Sequence, residues 1–120
     1  MNFLKYKGLY LTLALASIIL CLSLLPPGKG DIKSLVSDKL LHFIAYGVMV
    51  FPASFERVHP QFLIFLIALT YGGFIELVQP LFGREADIMD LWANIAGIIF
   101  GILIAQGVIF IFKLHPQHMR

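Results

Sequence analysis

The sequence contains few charged residues and a single cysteine, and both shortages limit the class of protein it can encode. Lys, Arg, Asp and Glu make up 13% of the 120 residues, whereas hydrophobic residues make up 59% and the mean hydropathy is +0.88. These values lie outside the usage of ordinary soluble domains. The lone Cys21 excludes a disulfide within the chain. Composition therefore predicts a protein that is embedded in a membrane by several segments.

The sequence also lacks the motifs of several function classes. Its lysines and arginines are scattered and form no basic stripe, which argues against nucleic-acid binding. It contains neither a His-x-x-x-His motif nor a cysteine pair, so no metal site and no other cofactor is predicted. It contains no phosphate-binding loop and no nucleophile motif, so catalytic residues cannot be assigned from motifs.

Four apolar runs predict four transmembrane helices, at residues 9–25, 40–55, 62–79 and 88–112. Their lengths are close to the roughly 20 residues that cross a bilayer. The first run exceeds the apolar core of a signal peptide, so we expect it to be an uncleaved anchor. The predicted fold class is all-α, a polytopic membrane protein in which residues 1–120 form one bundle of four transmembrane helices.

Positive charges give a weak signal for orientation. Four spans place both termini on one side of the membrane, and that side carries five lysines and arginines against four on the other. Since lysine and arginine are enriched on the cytoplasmic side, we predict that both termini are cytoplasmic. The inverted topology is the alternative.

Ten polar residues stand inside or beside the last three apolar runs. They are Asp38, Lys39, His42 and Tyr46 at the start of the second run, Glu76 and Gln79 at the end of the third, and Arg84, Asp87, Asp90 and Asn94 around the start of the fourth. Because consecutive helices alternate in direction, these positions lie at one end of the bundle. Ionisable side chains in membrane segments are costly and usually mark a site or a pairing. The sequence therefore predicts one polar patch.

We expect Arg84 to neutralise the acids of this patch. A guanidinium can bind two carboxylates in a fork, and Glu76, Asp87 and Asp90 would otherwise repel one another. Asp87-Ile88-Met89-Asp90 also has the spacing of a helix-capping box for the fourth run, although Asp90 stands where Glu or Gln is usual. Arg84 and the cap together predict a tightly paired start to this helix.

His42 has a structural interpretation and a functional one. We expect it to hydrogen-bond to Asp38 or Glu76 and so lock the bundle, in preference to acting as a general base or a metal ligand. Asn94 is expected to form a hydrogen bond between helices, which contributes on the order of 1 kcal/mol in membrane proteins.

Gly97 and Gly101 form a GxxxG pair in the fourth run. Such pairs let two helices approach closely. We expect the contact to lie within the bundle, and a contact between the subunits of a homo-oligomer is the alternative.

The order of the polar residues resembles a known family. The pattern consists of Asp38-Lys39, His42-Phe43 and Tyr46, then Glu76 and Gln79, then Gly83-Arg84, Asp87, Asp90, Asn94 and Gly97, within residues 38–101. It resembles the VanZ-like family of small integral membrane proteins, named after a teicoplanin-resistance accessory protein. Ile95-Ala96 departs from the pattern, since a small or hydroxylated residue is expected before Gly97. The resemblance implies a helical bundle in the bacterial inner membrane, linked to cell-envelope chemistry or glycopeptide tolerance, and implies no established reaction.

Three function classes fit the predicted patch. In the first, the protein binds the polar head group of a membrane lipid, such as a lipid-linked envelope intermediate, and Lys39 and Arg84 contact phosphate. In the second, it is an enzyme that acts on such a lipid, with Glu76 or Asp90 as acid or base beside His42. In the third, it is a subunit of a proton- or ion-coupled transporter, which four spans would build only as an oligomer.

Overall fold

A computed structural model describes residues 3–25 and 38–114, and most of these residues are helical. A 3-10 helix, Phe3–Tyr6, leads into α1, and a second, Gln79–Phe82, continues α3. The four main helices are α1 at Lys7–Leu24, α2 at Asp38–Glu56, α3 at Gln61–Val78 and α4 at Ile88–Leu114. No strand occurs in these two described segments. The predicted all-α bundle of four helices is confirmed.

Residues 57–60 join α2 and α3 into an antiparallel hairpin. Arg57 has a φ of 59°, a left-handed conformation that commonly ends a helix. Pro60 precedes α3, and its carbonyl oxygen accepts hydrogen bonds from the amides of Leu63 and Ile64, both at 3.1 Å. The tight connection forces the two helices to run in opposite directions, so the end of α3 lies level with the start of α2.

α2 is the central helix, and its most extensive contact is with α4. Glycines allow this contact. A Cβ atom added to Gly101 would lie 2.5 Å from the carbonyl oxygen of Gly47, and one added to Gly97 would overlap the backbone of Phe43. The GxxxG pair of α4 therefore serves close packing inside the bundle, and it sets the distance between the two helices that carry most of the polar patch.

α1 is attached to the far end of α2 by hydrogen bonds to its backbone. The carboxylate of Glu56 accepts hydrogen bonds from the amides of Gly8 and Leu9, at 2.9 and 3.0 Å. These amides have no partner within α1, and the negative charge lies at the positive end of its dipole. The hydroxyl oxygen of Thr12 accepts a hydrogen bond from the amide of Ala53 at 3.0 Å. α1 is thereby fixed along α2.

Burial in this bundle is inverted relative to a water-soluble protein. Ser54, Asp90 and Asn94 are at most 4% exposed, whereas Leu77 and Leu81 are each 81% exposed. Large exposed apolar side chains are unfavourable in water but match a hydrocarbon surrounding, in which polar groups must find partners inside the protein. The pattern is that of a membrane protein.

Within the described residues, three helical segments are long and apolar enough to cross a membrane. They are Leu4–Leu24, Gln61–Phe82 and Ile88–Lys113. α2 has 19 residues, against 18 in α3, but its first turns carry Asp38, Lys39 and His42. These polar residues lower its hydropathy, and the other helices pack around its central part.

Candidate functional site

One end of the bundle carries a group of polar side chains from three helices, here called the charged cluster. It consists of Asp38, Lys39 and His42 of α2, Glu76 of α3, and Asp87, Asp90 and Asn94 at the start of α4. The start of α2, the end of α3 and the start of α4 lie at one level because consecutive helices alternate in direction. Seven of the ten residues that the sequence placed in the patch are therefore joined by direct contacts.

Lys39 is the cation that bridges the acids of the cluster. Its Nζ atom lies 2.6 Å from Oδ2 of Asp87 and 2.6 Å from Oδ1 of Asp90. The side chains of Lys39 and Asp87 are each 43% exposed, whereas that of Asp90 is 5% exposed. Lys39 thus connects an open surface to a buried carboxylate.

Arg84 and Gln79 bind the end of α1 and not the cluster. Nε2 of Gln79 donates to the carbonyl oxygen of Ser23 at 3.1 Å, and an Arg84 guanidinium nitrogen donates to that of Leu25 at 2.9 Å. Arg84 forms no ion pair with a carboxylate of the described segments, so the expectation that it neutralises the acids is wrong. The last carbonyls of a helix lack partners within the helix, and these two side chains supply them for α1.

Asp87 caps α4 and remains charged. Its Oδ1 atom accepts a hydrogen bond from the amide of Met89 at 2.9 Å, as expected of an N-cap residue. The hydrogen bond from Lys39, and next the one from Met89, hold the pKa of Asp87 below its usual value. The carboxylate is therefore ionised throughout the neutral range.

Glu76 accepts the hydrogen bond that Asp90 would accept in a capping box. Its Oε2 atom accepts a hydrogen bond from the backbone amide of Asp87 at 3.1 Å. Asp90 instead contacts Lys39 and turns its second oxygen, Oδ2, towards His42. Glu76 is 7% exposed, and its Oε1 atom has no hydrogen-bond partner in the described part of the chain. Half of the predicted capping box forms, and the other half is supplied by α3.

His42 is oriented by Asn94 and not, as expected, by a hydrogen bond to Asp38 or Glu76. Nδ1 of His42 lies 2.8 Å from Oδ1 of Asn94, which forms the predicted interhelical hydrogen bond. Because an amide oxygen only accepts, Nδ1 carries the proton. Nε2 then faces Oδ2 of Asp90 at 3.4 Å and Oδ2 of Asp38 at 3.8 Å.

Tyr46 packs against the buried side of the cluster. Its ring stacks against that of His42, with an interplanar angle of 7° and 6.5 Å between centroids, and it is 2% exposed. A Cβ atom on Gly72 of α3 would lie 3.1 Å from Asn94 Nδ2 and 3.2 Å from Tyr46. The small residue gives Tyr46 and Asn94 room to pack beneath His42.

Asp38, His42 and Asp90 form the set of donors that is best placed for a metal ion. One ligand atom from each lies within 4.8 Å of the other two. The sequence predicted no metal site, and a metal ligand was the less favoured interpretation of His42. The i, i+4 spacing of Asp38 and His42, which puts both on one helix face, was the signal for the observed set.

An apolar groove of about 520 Å³ runs along α2 between α1 and α4, and no residue of the charged cluster lines it. Phe43, one residue after His42, lies at its near end, and Phe51 and Pro52 lie at its far end. Leu11 and Leu15 of α1 and Phe100, Gly101 and Ile104 of α4 complete its walls. The polar end and the groove together can accommodate a molecule that has a polar head and an apolar tail.

The fold and the charged cluster define a small helical membrane protein with a polar site at one end of its bundle. The sequence matches the VanZ/LLP1 family over residues 10–112, and the chain belongs to that family. The matched segment begins in α1, whereas the polar pattern begins at Asp38 in α2. No curated protein and no solved structure matches this chain.

Proposed function

We propose that this VanZ-like membrane protein binds a membrane lipid, with the head group at the charged cluster and an acyl chain in the apolar groove. The observation that carries the proposal is the position of the groove, which begins one residue after His42. A purely structural ion-pair network would need no apolar channel beside it. We extend the proposal to a lipid-linked intermediate of the bacterial cell envelope, because the chain is VanZ-like.

The length of the groove suits the lipid of one leaflet. From Phe43 to Pro52 the helix rises about 13.5 Å, at about 1.5 Å per residue. Half of a hydrocarbon core of about 30 Å is about 15 Å. An acyl chain in the groove would therefore run from the interface to about the middle of the bilayer. This is the depth that the acyl chain of a lipid reaches within one leaflet.

The head group would contact both the positively charged and the negatively charged side chains of the cluster. Lys39 is 43% exposed at its side chain and can contact a phosphate oxygen. The neighbouring carboxylates would accept hydrogen bonds from sugar or amine groups. This arrangement favours a zwitterionic or glycosylated phospholipid over a simple anionic one, since uncompensated negative charge would be repelled.

Native mass spectrometry of the full-length protein in detergent tests the proposal. We expect a co-purified lipid in the wild-type protein and its loss in Val48→Trp, because Val48 lines the groove and a larger side chain fills it. Ile67→Trp is the matched control, since Ile67 is 62% exposed on α3 and does not line the groove. Equal lipid retention in the two variants, or lipid-free wild-type protein, would contradict the proposal.

In the cell, we place the protein in the bacterial inner membrane with both termini in the cytoplasm and with a role in teicoplanin tolerance. Deleting its gene should lower the inhibitory concentration of teicoplanin, and complementation with Val48→Trp should fail to restore it. Restoration by that variant would separate tolerance from lipid binding.

A further inference from the structure

We propose that Asp38, His42 and Asp90 bind a divalent transition-metal ion, Zn²⁺ or Mn²⁺, at the aqueous end of the bundle. The site goes beyond the proposed lipid function and does not depend on it. One imidazole nitrogen and two carboxylate oxygens form a mixed donor set that suits these ions better than Ca²⁺ or Mg²⁺, which prefer oxygen ligands alone.

The distances between the donor atoms are close to those around a bound ion. Nε2 of His42 is 3.4 Å from Oδ2 of Asp90 and 3.8 Å from Oδ2 of Asp38. Charge-assisted N–H···O hydrogen bonds are shorter, at about 2.7–2.9 Å. Bonds of about 2.0–2.2 Å to Zn²⁺ place tetrahedral ligands roughly 3.3–3.6 Å apart. The separation of Nε2 from Oδ2 of Asp90 lies within this range, whereas that from Oδ2 of Asp38 exceeds it by about 0.2 Å. A small movement of the Asp38 side chain would therefore bring the three atoms around one ion.

The histidine is held in the form that a metal requires. Asn94, which is 1% exposed, fixes the proton on Nδ1 and leaves the lone pair of Nε2 facing the two carboxylates. A hydrogen bond to the second ring nitrogen is the usual way in which proteins orient a metal-bound histidine. Lys39 similarly holds Oδ1 of Asp90 and leaves Oδ2 available.

Glu76 provides a second observation, independent of the three donors, that favours a bound species at the cluster. Its hydrogen bond to the amide of Asp87 brings it to the start of α4. Its Oε1 atom is nevertheless buried without a hydrogen-bond partner in the described residues. Glu76 is not one of the three grouped donors, so its unpartnered oxygen suits a hydrogen bond from a metal-bound water better than direct contact with the ion.

Charge balance favours the same conclusion. Within the described residues the cluster contains four carboxylates, and Lys39 is its only permanently charged cation. Burying uncompensated charge near a membrane interior is unfavourable. A divalent ion supplies most of the missing positive charge. Asp38, whose side chain is 35% exposed, lies on the open side of the cluster and gives the ion a path from water.

Metal titration of the full-length, delipidated protein in detergent tests the proposal. After treatment with a chelator, we expect the wild-type protein to bind one Zn²⁺ per chain, measured by competition with a chromophoric chelator. Asp90→Asn and Asp38→Asn should weaken binding by more than about 100-fold, and Asn94→Leu by about 10- to 100-fold. Bound Co²⁺ should give the visible absorption of a low-coordinate site.

Asp87→Asn is the matched control, because Asp87 and Asp90 both contact Lys39 at 2.6 Å but only Asp90 turns an oxygen towards His42. It should change Zn²⁺ affinity by less than about 10-fold. An equal loss in Asp87→Asn and Asp90→Asn, or no binding of Zn²⁺ or Mn²⁺ by the wild-type protein, would overturn the site.

A measurement that needs no variant is the ¹⁵N spectrum of labelled histidine, in which Zn²⁺ should shift Nε2 of His42. Because lipid is absent, failure here leaves the lipid proposal standing.

Discussion

Replacing Gly101 by alanine should separate α2 from α4 and so disturb the charged cluster more than 10 Å away. A Cβ atom at this position would lie 2.5 Å from the carbonyl oxygen of Gly47 and 2.9 Å from Cγ2 of Val50. Ordinary contacts begin near 3.4 Å, so the backbones must move apart by roughly 0.9 Å. The rise from Asp90 to Gly101 is about 16 Å. Because α4 is one continuous helix, a displacement of its backbone at Gly101 also moves Asp90 relative to α2.

The expected energy combines two opposing effects. Overpacking a close contact costs about 1–3 kcal/mol, whereas alanine gains about 1 kcal/mol over glycine in helix propensity. Gly107→Ala isolates the second effect, because a Cβ atom at Gly107, in the same helix, meets nothing within 4 Å. The two variants should therefore differ in free energy of unfolding by about 1–3 kcal/mol.

Equilibrium unfolding of both variants in mixed micelles, followed by circular dichroism, measures this difference. The hydrogen bond between His42 and Asn94 joins α2 to α4, so Gly101→Ala should also perturb the ring resonances of His42, while Gly107→Ala should not. Equal stability of the two variants would refute the inference that backbone contact sets the spacing of α2 and α4.

Three further predictions concern charged side chains. Glu56→Gln should lower stability by about 1 kcal/mol because it removes the charge that caps α1, as seen in thermal unfolding. Arg84→Lys should preserve fold and function, because the structure uses one donor of Arg84 and no carboxylate fork. Lys39→Gln should raise the pKa of Asp87 towards its ordinary value, as read from the carboxyl ¹³C shift during a pH titration.

Each of these has a control or a contrary outcome. Glu85→Gln removes an exposed charge that caps no helix, and a stability loss equal to that of Glu56→Gln would contradict the cap. An inactive but folded Arg84→Lys protein would restore a specific role for the guanidinium. In the wild-type protein the stabilisation from Asp87 is present above its unfolded pKa and is lost as the pH falls through its lower folded pKa. An unchanged pKa in Lys39→Gln would contradict Lys39 as the main cause.

The sequence by itself determined the number and order of the helices and the level at which the polar residues meet. The apolar runs have membrane-spanning length, and the turn before Pro60 is short. Consecutive helices must therefore alternate in direction, and this alternation fixes which helix ends lie at the same level. Helix periodicity also placed Asp38, His42 and Tyr46 on one face of α2. These features depend on residues near one another in the chain.

The tertiary structure alone decided which side chains pair. Lys39, and not Arg84, bridges the acids because the glycine contact at Gly101 fixes how α2 sits against α4, while the loop before α4 directs Arg84 to the end of α1. Partner choice depends on the relative rotation and spacing of helices that are about 50 residues apart in sequence. Local patterns carry no information on that rotation, which follows from packing.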